Sequence, residues 1–517
     1  MCFVDIRKAF DKVDRTCLWY KLMQAGVRGK IISGIQSLYK EVNCAVKINE
    51  YYTDPFDVYS GVKQGCKLSP TLFSIYINDL SEEIKNLNCG VKCDDFMLSV
   101  LLYADDLAFI AEEEESLQIM LNCFNLWCTK WRLSLNTDKS KVMHFRLPSM
   151  DCSNYNFHCG EYTIDYTGSY RYLGMWLNEY MIMTKTVKEL CKSASRALAK
   201  LYSKFRDAGG MSYEVFTKLY QALVEPILFY GAGIWGSNNY KDIQIVQNRA
   251  CRFFLGVGKT SSNLASRGDM GWNATTVKQR KEVFRLHIKI FHMEENRLPK
   301  KIQDWSLKYS KSYVFKTSKL LKSYGASWMV ENGADNNDWS VRRKLRLLDE
   351  LLVLEDKDLW KKELFNDQNN PNGNKLRTYR MYKNENTTSD YVKLVRHRKH
   401  RSVLAKFRNG SLPLTVELGR FAKPPVALQN RICRYCHLYK NIHVVEDESH
   451  FLLHCDVYSD IRCNLFHKAN VELDTFYSLS SEDKMYFILN HHGLQTCLAS
   501  TISNMLLKRQ KHHAFII

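Results

Sequence analysis

Two hydrophobic periods run along this chain. The segment Val100-Leu101-Leu102-Tyr103-Ala104-Asp105-Asp106-Leu107-Ala108-Phe109-Ile110 is apolar on both sides of an acid pair, the pattern of two short buried strands. Cys2-Phe3-Val4-Asp5-Ile6 is a second apolar run that holds an acid. The stretch Arg7-Lys8-Ala9-Phe10-Asp11-Lys12-Val13-Asp14 reads as helix-like, with Asp11 and Asp14 on its surface. Helical spacing then recurs at Leu72, Phe73, Tyr76, Leu80 and Ile84, behind the start signal Ser69-Pro70, an N-cap followed by N1. Between 112 and 131, Leu117, Met120, Leu121, Phe124, Leu126, Trp127 and Trp131 form an apolar stripe. Glu112, Glu113, Glu114 and Glu115 precede it, where negative charge suits the helix dipole. Residues 148–180 read as short strands, and 181–299 as helical. Residues 300–425 read as helical and basic, broken by polar runs at 332–338 and 366–374. The fold class is therefore α+β, with strand-like and helix-like runs mixed over residues 1–147 and a largely helical remainder after residue 180.

Composition narrows the partners. The 517 residues are 45% hydrophobic and 25% charged, which is globular and long enough for several domains. The net charge of +19 suits a polyanion, nucleic acid first. From 375 to 408 there are eleven Lys or Arg against Glu385 and Asp390, with Tyr379, Tyr382, Tyr391 and Phe407 interleaved. That mixture predicts RNA contact through phosphates and stacked bases; a solvated basic helix is the alternative. The 17 cysteines, an odd number with no secretory leader, predict a reducing intracellular compartment, nucleus or cytoplasm. No charge-free apolar stretch reaches 18 residues, so no membrane span is expected.

Adjacent carboxylates between buried strands are costly to desolvate unless a turn exposes them or a cation neutralises them. A hairpin tip presenting Asp105 and Asp106 to a metal meets this condition; an ordinary surface turn is the alternative. With Asp5 they supply oxygen ligands for two Mg²⁺ ions, provided the two strands are neighbours. Between them lies Tyr59-Ser60-Gly61-Val62-Lys63-Gln64-Gly65-Cys66, whose glycines permit close backbone approach, to a ligand or in a plain turn. Near the C-terminus, Cys433, Cys436, His450 and Cys455 follow C-x2-C-x13-H-x4-C, a spacing suited to one structural Zn²⁺. His443, His454 and Cys463 are substitutes. Arg431, Arg434 and Tyr435 could touch phosphates and bases.

Phe3-Val4-Asp5 with Lys8-Ala9-Phe10-Asp11-Lys12-Val13-Asp14 resembles the first palm motif of non-LTR (LINE-type) retrotransposon reverse transcriptases. Ser60-Gly61-Val62-Lys63-Gln64-Gly65-Cys66 with Leu68-Ser69-Pro70 resembles the second motif. Tyr103-Ala104-Asp105-Asp106 resembles the YxDD box. Leu135-Asn136 with Asp138-Lys139-Ser140-Lys141 resembles the fourth motif, and Tyr170-Arg171-Tyr172-Leu173-Gly174 the primer grip. Ala232 to Trp235 and Gln247-Asn248-Arg249 are similar to the thumb-side region. The resemblance implies a palm over 1–180, a helical thumb-like region over 181–299, a basic helical linker over 300–425, a CCHC zinc knuckle over 426–463 and a helical tail over 464–517.

It also implies an RNA-directed DNA polymerase acting on an RNA template, a DNA primer or target, and dNTPs. Asp5, Asp105 and Asp106 would hold the two metal ions, and Ile6 would offer its carbonyl. Phe10 would be the steric gate against a 2′-hydroxyl. Gln64 and Gly65 would contact template and incoming nucleotide, and Lys139, or Lys141, would lie near the pyrophosphate. In the family a fingers region precedes the first motif, whereas four residues precede Asp5 here. The expectation is a C-terminal part of a longer protein or a truncated copy, without its triphosphate clamp and with little polymerase activity alone. A catalytically inactive RNA-binding relic and a group II intron maturase-like enzyme, which shares the YADD box, are the alternatives. No oligomeric state follows from the sequence.

Overall fold

The computed structural model describes residues 1–330, 340–366 and 375–514; of the two expected polar runs, 332–338 and 367–374 lie outside the described residues. The chain divides into two compact units, Met1–Thr186 and Val187–Ile517.

The first unit is built on a four-stranded antiparallel sheet of β1 (Cys2–Asp5), β2 (Val100–Tyr103), β3 (Asp106–Phe109) and β4 (Lys141–Val142), in the order β4-β1-β3-β2. Period-two alternation decides which side chains meet which layer. Cys2, Val4, Leu107 and Phe109 join one buried core with Leu72, Phe73, Tyr76 and Leu80, and with Leu117, Leu121, Phe124 and Trp127. Phe3, Ala108 and Met143 lie on the other face, against Tyr170, Tyr172 and Leu177. By the same alternation Asp5 and Asp106 belong to this second face.

Three helices back the first core: α1 (Arg15–Gln24), α2 (Ser69–Asn86) and α3 (Glu114–Lys130). Lys21 ties them together. Its ammonium lies 3.8 Å from the Trp131 ring and 4.6 Å from those of Tyr76 and Trp127, and 2.8 Å from Asp79. Burial lowers its pKa to about 8, against the pull of Asp79. The Tyr- and Gly-rich stretch forms short ribbons, the last a hairpin of β5 (Ser169–Tyr172) and β6 (Met175–Asn178).

Two local expectations change. Residues 7–14 are not helical: Lys8 sits at φ 51°, and α1 begins only at Arg15, where Asp14 accepts the Cys17 N–H at 3.0 Å. The reason is that this backbone is engaged elsewhere. The Phe10 and Val13 carbonyls accept the N–H groups of Val62 and Gly61, each at 2.8 Å. Gly61 is required there, since it has φ +82° and a Cβ would meet the Asp11 carbonyl oxygen at 2.8 Å. Ser69 lies within the first turn of α2 instead of capping it, and its hydroxyl donates to the Lys63 carbonyl at 2.6 Å.

The second unit is helical. Its described elements include α4 (Lys241–Leu255), α5 (Asn263–Met270), α6 (Thr275–Phe291), α7 (Val341–Asn366), α8 (Arg377–Tyr382), α9 (Asp390–Leu394), α10 (Arg398–Arg408) and α11 (Gln495–Ala514). Asp269 of α5, 1% exposed, is a polar hub. It accepts from the hydroxyls of Tyr391 (2.7 Å), Ser389 (2.8 Å) and Tyr379 (3.2 Å), and pairs with Arg408 at 3.2 Å. Gly268 makes room for this, since a Cβ there would lie 2.4 Å from the Trp360 ring.

The 375–408 stretch is therefore not the RNA-stacking surface its composition predicted. Tyr379, Tyr382, Tyr391 and Phe407 are core, and Arg380, Arg401 and Arg408 are buried with them. The Arg401 guanidinium donates to the Phe254 and Val395 carbonyls, and Arg408 to Asp269. Of the eleven cations in this stretch, Lys393, Arg396, Arg398 and Lys399 are exposed.

Removing the carboxylate of Asp269 leaves Arg408 buried without its counter-charge. Asp269→Ala should cost about 3–5 kcal/mol, read as a fall in the urea midpoint. The double variant Asp269→Leu with Arg408→Met should recover much of it.

Candidate functional site

Strand pairing builds the acidic site. β1 and β3 are antiparallel in the register Cys2↔Phe109, Phe3↔Ala108, Val4↔Leu107, Asp5↔Asp106. Residues directly opposite in such a pair share a face, so Asp5 and Asp106 stand side by side. β2 and β3 pair with Tyr103 opposite Asp106, which leaves a two-residue turn, Ala104-Asp105, with Ala104 at φ 54°. Asp105 is thus the turn residue and Asp106 the first strand residue. The sheet brings Asp5 to an acid pair that lies 100 positions later in the sequence.

Their mutual field is visible. The Asp106 carboxyl is raised above the usual range by burial, then by Asp105 and Asp5, with Lys139 opposing. The Tyr170 phenol is pushed up to about 12 by burial and then by Asp5 and Asp106. Tyr170 stacks on Phe3 at 4.3 Å, so the β5–β6 hairpin lies on the sheet face that carries the acids. Oxygen donors of this charge suit a hard divalent cation.

A loop after α3 holds Asp5. Asn136 Nδ2 donates to Asp5 Oδ2 at 2.8 Å, and Asn136 N to the Asp5 carbonyl at 2.8 Å. The Asp5 N–H donates to Ser140 Oγ at 3.0 Å, and Ile6 bridges to Leu135. Lys139 Nζ stands 3.8 Å from Asp5 Oδ1, whereas Lys141 pairs with Asp165 at 2.8 Å. Lys139 is therefore the lysine of this loop beside the acids. Asp5, Ile6, Asp105, Asn136 and Lys139 line an open cleft of about 440 Å³. Sequence reading quoted Asn136 and Ser140 in the fourth motif without giving either a role.

The remaining residues lie along the turn after β1. Phe10 stacks on Phe73 at 4.7 Å. Gln64 Nε2 donates to Asp11 Oδ1 at 2.8 Å, and Gly65 has φ +79° with open space where a Cβ would stand.

In the second unit Cys433, Cys436, His450 and Cys455 are all buried, with one ligand atom from each mutually within 4.8 Å. Cys436 Sγ lies 3.5 Å from His450 Nε2, and Cys455 Sγ lies 3.9 Å from both other sulfurs. Metal–sulfur bonds of about 2.3 Å and metal–nitrogen bonds of about 2.0–2.1 Å in a tetrahedron require separations of roughly 3.8 and 3.5 Å. The set fits a Cys₃His metal site, and His443, His454 and Cys463 fall outside it. The hydrogen bond from Cys455 holds the Cys433 thiol low; burial raises Cys436, and the bond to Cys433 raises Cys455.

Buried acids between the ligands anchor this site. Glu446 accepts from Arg509 Nε and Nη2, each at 2.7 Å, and Glu448 from Arg377 at 2.8 Å and Thr378 at 2.9 Å. Arg431 also turns inward, donating to the Val416 and Val426 carbonyls. Among the described residues no helix is long and apolar enough to cross a membrane.

The profile of the family described as reverse transcriptase (RNA-dependent DNA polymerase) matches residues 1–177. The chain is similar to the RNA-directed DNA polymerase from mobile element jockey of Drosophila funebris, with 26% identity over 264 residues, 49% of this chain and 28% of that protein. It is also similar to the probable RNA-directed DNA polymerases from transposon BS (26% over 263 residues) and transposon X-element (24% over 263 residues) of Drosophila melanogaster; each match covers 28% of the relative. The chain thus spans little more than a quarter of the length of these relatives. Residues 1–177 are thus similar to the reverse transcriptase (RNA-dependent DNA polymerase) family, in line with the LINE-type resemblance of the motifs.

Proposed function

We propose that this chain carries the polymerase site of a non-LTR retrotransposon, extending a DNA primer 3′-hydroxyl with dNTPs along an RNA template. The observation that carries the reading is the register Asp5↔Asp106, with Asp105 in the adjoining turn. Bound there, two Mg²⁺ ions would stabilise the attacking and leaving oxygens of phosphoryl transfer. The chain's own residues do the rest. Asp5, Asp105 and Asp106 would hold the cations, and Ile6 would offer its carbonyl. Lys139 offsets negative charge at the leaving pyrophosphate. Phe10, braced by Phe73, excludes a 2′-hydroxyl, and Gln64 and Gly65 meet template and nucleotide.

In Mg²⁺-dependent primer extension on RNA by the chain joined to an upstream fingers region, Asp105→Asn and Asp106→Asn should each cost about a hundredfold or more, with unchanged circular dichroism. Extension by either variant at the parent rate would remove the basis of the reading.

The Cys₃His site, we infer, holds one structural Zn²⁺, its four positions filled by protein so that none is open for catalysis. Its separations and its three crowded thiols support that reading. Elemental analysis should find about one zinc per chain, and Cys433→Ser should release it and lower the thermal midpoint. Protein purified under reducing conditions without zinc would count against the site.

A further inference from the structure

The site's acids repel one another, and Asp5 directly faces Asp106. Without a restraint, the Asp5 carboxylate would rotate away from its neighbour and present neither oxygen to the cleft in a fixed direction. One side chain supplies the restraint. The Asn136 amide donates to Oδ2 at 2.8 Å, which leaves Oδ1 as the oxygen beside Lys139 at 3.8 Å. Asn136 is itself well fixed. Its N–H grips the Asp5 carbonyl, and its own carbonyl accepts the Ser140 N–H at 2.9 Å, closing the loop on itself. Ser140, 0% exposed, in turn accepts the Asp5 N–H.

We propose that Asn136 is a positioning residue: its amide N–H fixes the Asp5 carboxylate so that one oxygen is turned to the divalent cation. The amide suits this task chemically. It is neutral, so it adds no charge to a site already holding three acids, and its NH₂ group donates where a carboxylate could only accept. An oriented ligand loses less rotational freedom when the cation arrives, so the gain appears as affinity.

The inference rests on the metal reading of Asp5, and a double-mutant cycle separates the two. Mn²⁺, as a reporter for Mg²⁺, is titrated into the full chain and its binding followed by water-proton relaxation. The parent, Asp5→Asn, Asn136→Leu and the double variant are compared, with thermal midpoints recorded for each.

Asn136→Leu should weaken Mn²⁺ binding about five- to tenfold and should add little further loss once Asp5 is Asn, because it acts through that carboxylate. Equal losses in both backgrounds, or no loss in the single variant, overturn the positioning role. If Asn136→Leu fails to fold, Asn136→Ala takes its place in the cycle. Mn²⁺ binding that ignores Asp5→Asn overturns the metal reading itself, and the inference with it.

Discussion

Everything in the first unit depends on one pairing, β1 against β3. That ladder places apolar side chains toward the helices and leaves the alternate positions on the opposite face. Two of those positions are acids. Their repulsion opposes the pairing that creates them, and burial of Cys2, Val4, Leu107 and Phe109 outweighs it. At about 25 cal/mol per Å² of apolar surface, four such side chains supply several kcal/mol. The site is thus held in an electrostatically unfavourable arrangement by packing on the far side of the sheet.

The second unit handles charge in the opposite way. Three of its buried acids are matched by arginines inside the protein: Asp269 by Arg408, Glu446 by Arg509, Glu448 by Arg377. These pairs connect segments far apart in the sequence, and each acid accepts at least one further hydrogen bond. The Cys₃His cluster belongs to this network, because Glu446 and Glu448 lie between two of its ligands. It is anchored to α8 and α11, and does not stand as a free knuckle on a tether.

Sequence reading went furthest where chemistry is local. The Asp105-Asp106 turn, the α3 stripe and the cysteine spacing each leave a short signature, and the structure contains a hairpin, a helix and a four-ligand cluster at those places. It failed where a residue's role is set by a distant partner. Arg408 looks like any surface arginine until Asp269, 139 positions earlier, is placed beside it. Residues 7–14 have helical spacing, but their carbonyls are taken by Gly61 and Val62. Asn136 looked like motif filler because its partner, Asp5, lies 131 positions away.

The position of β1 within the sheet also bears on how the unit forms. It is an interior strand, flanked by β3 and β4, both more than a hundred residues later in the chain. Loop-closure entropy must be overcome before either flank repays it, so contact order is high and assembly slow. Until residue 109 has left the ribosome, Cys2, Phe3 and Val4 lack both of these partner strands and are open to whatever edge reaches them first.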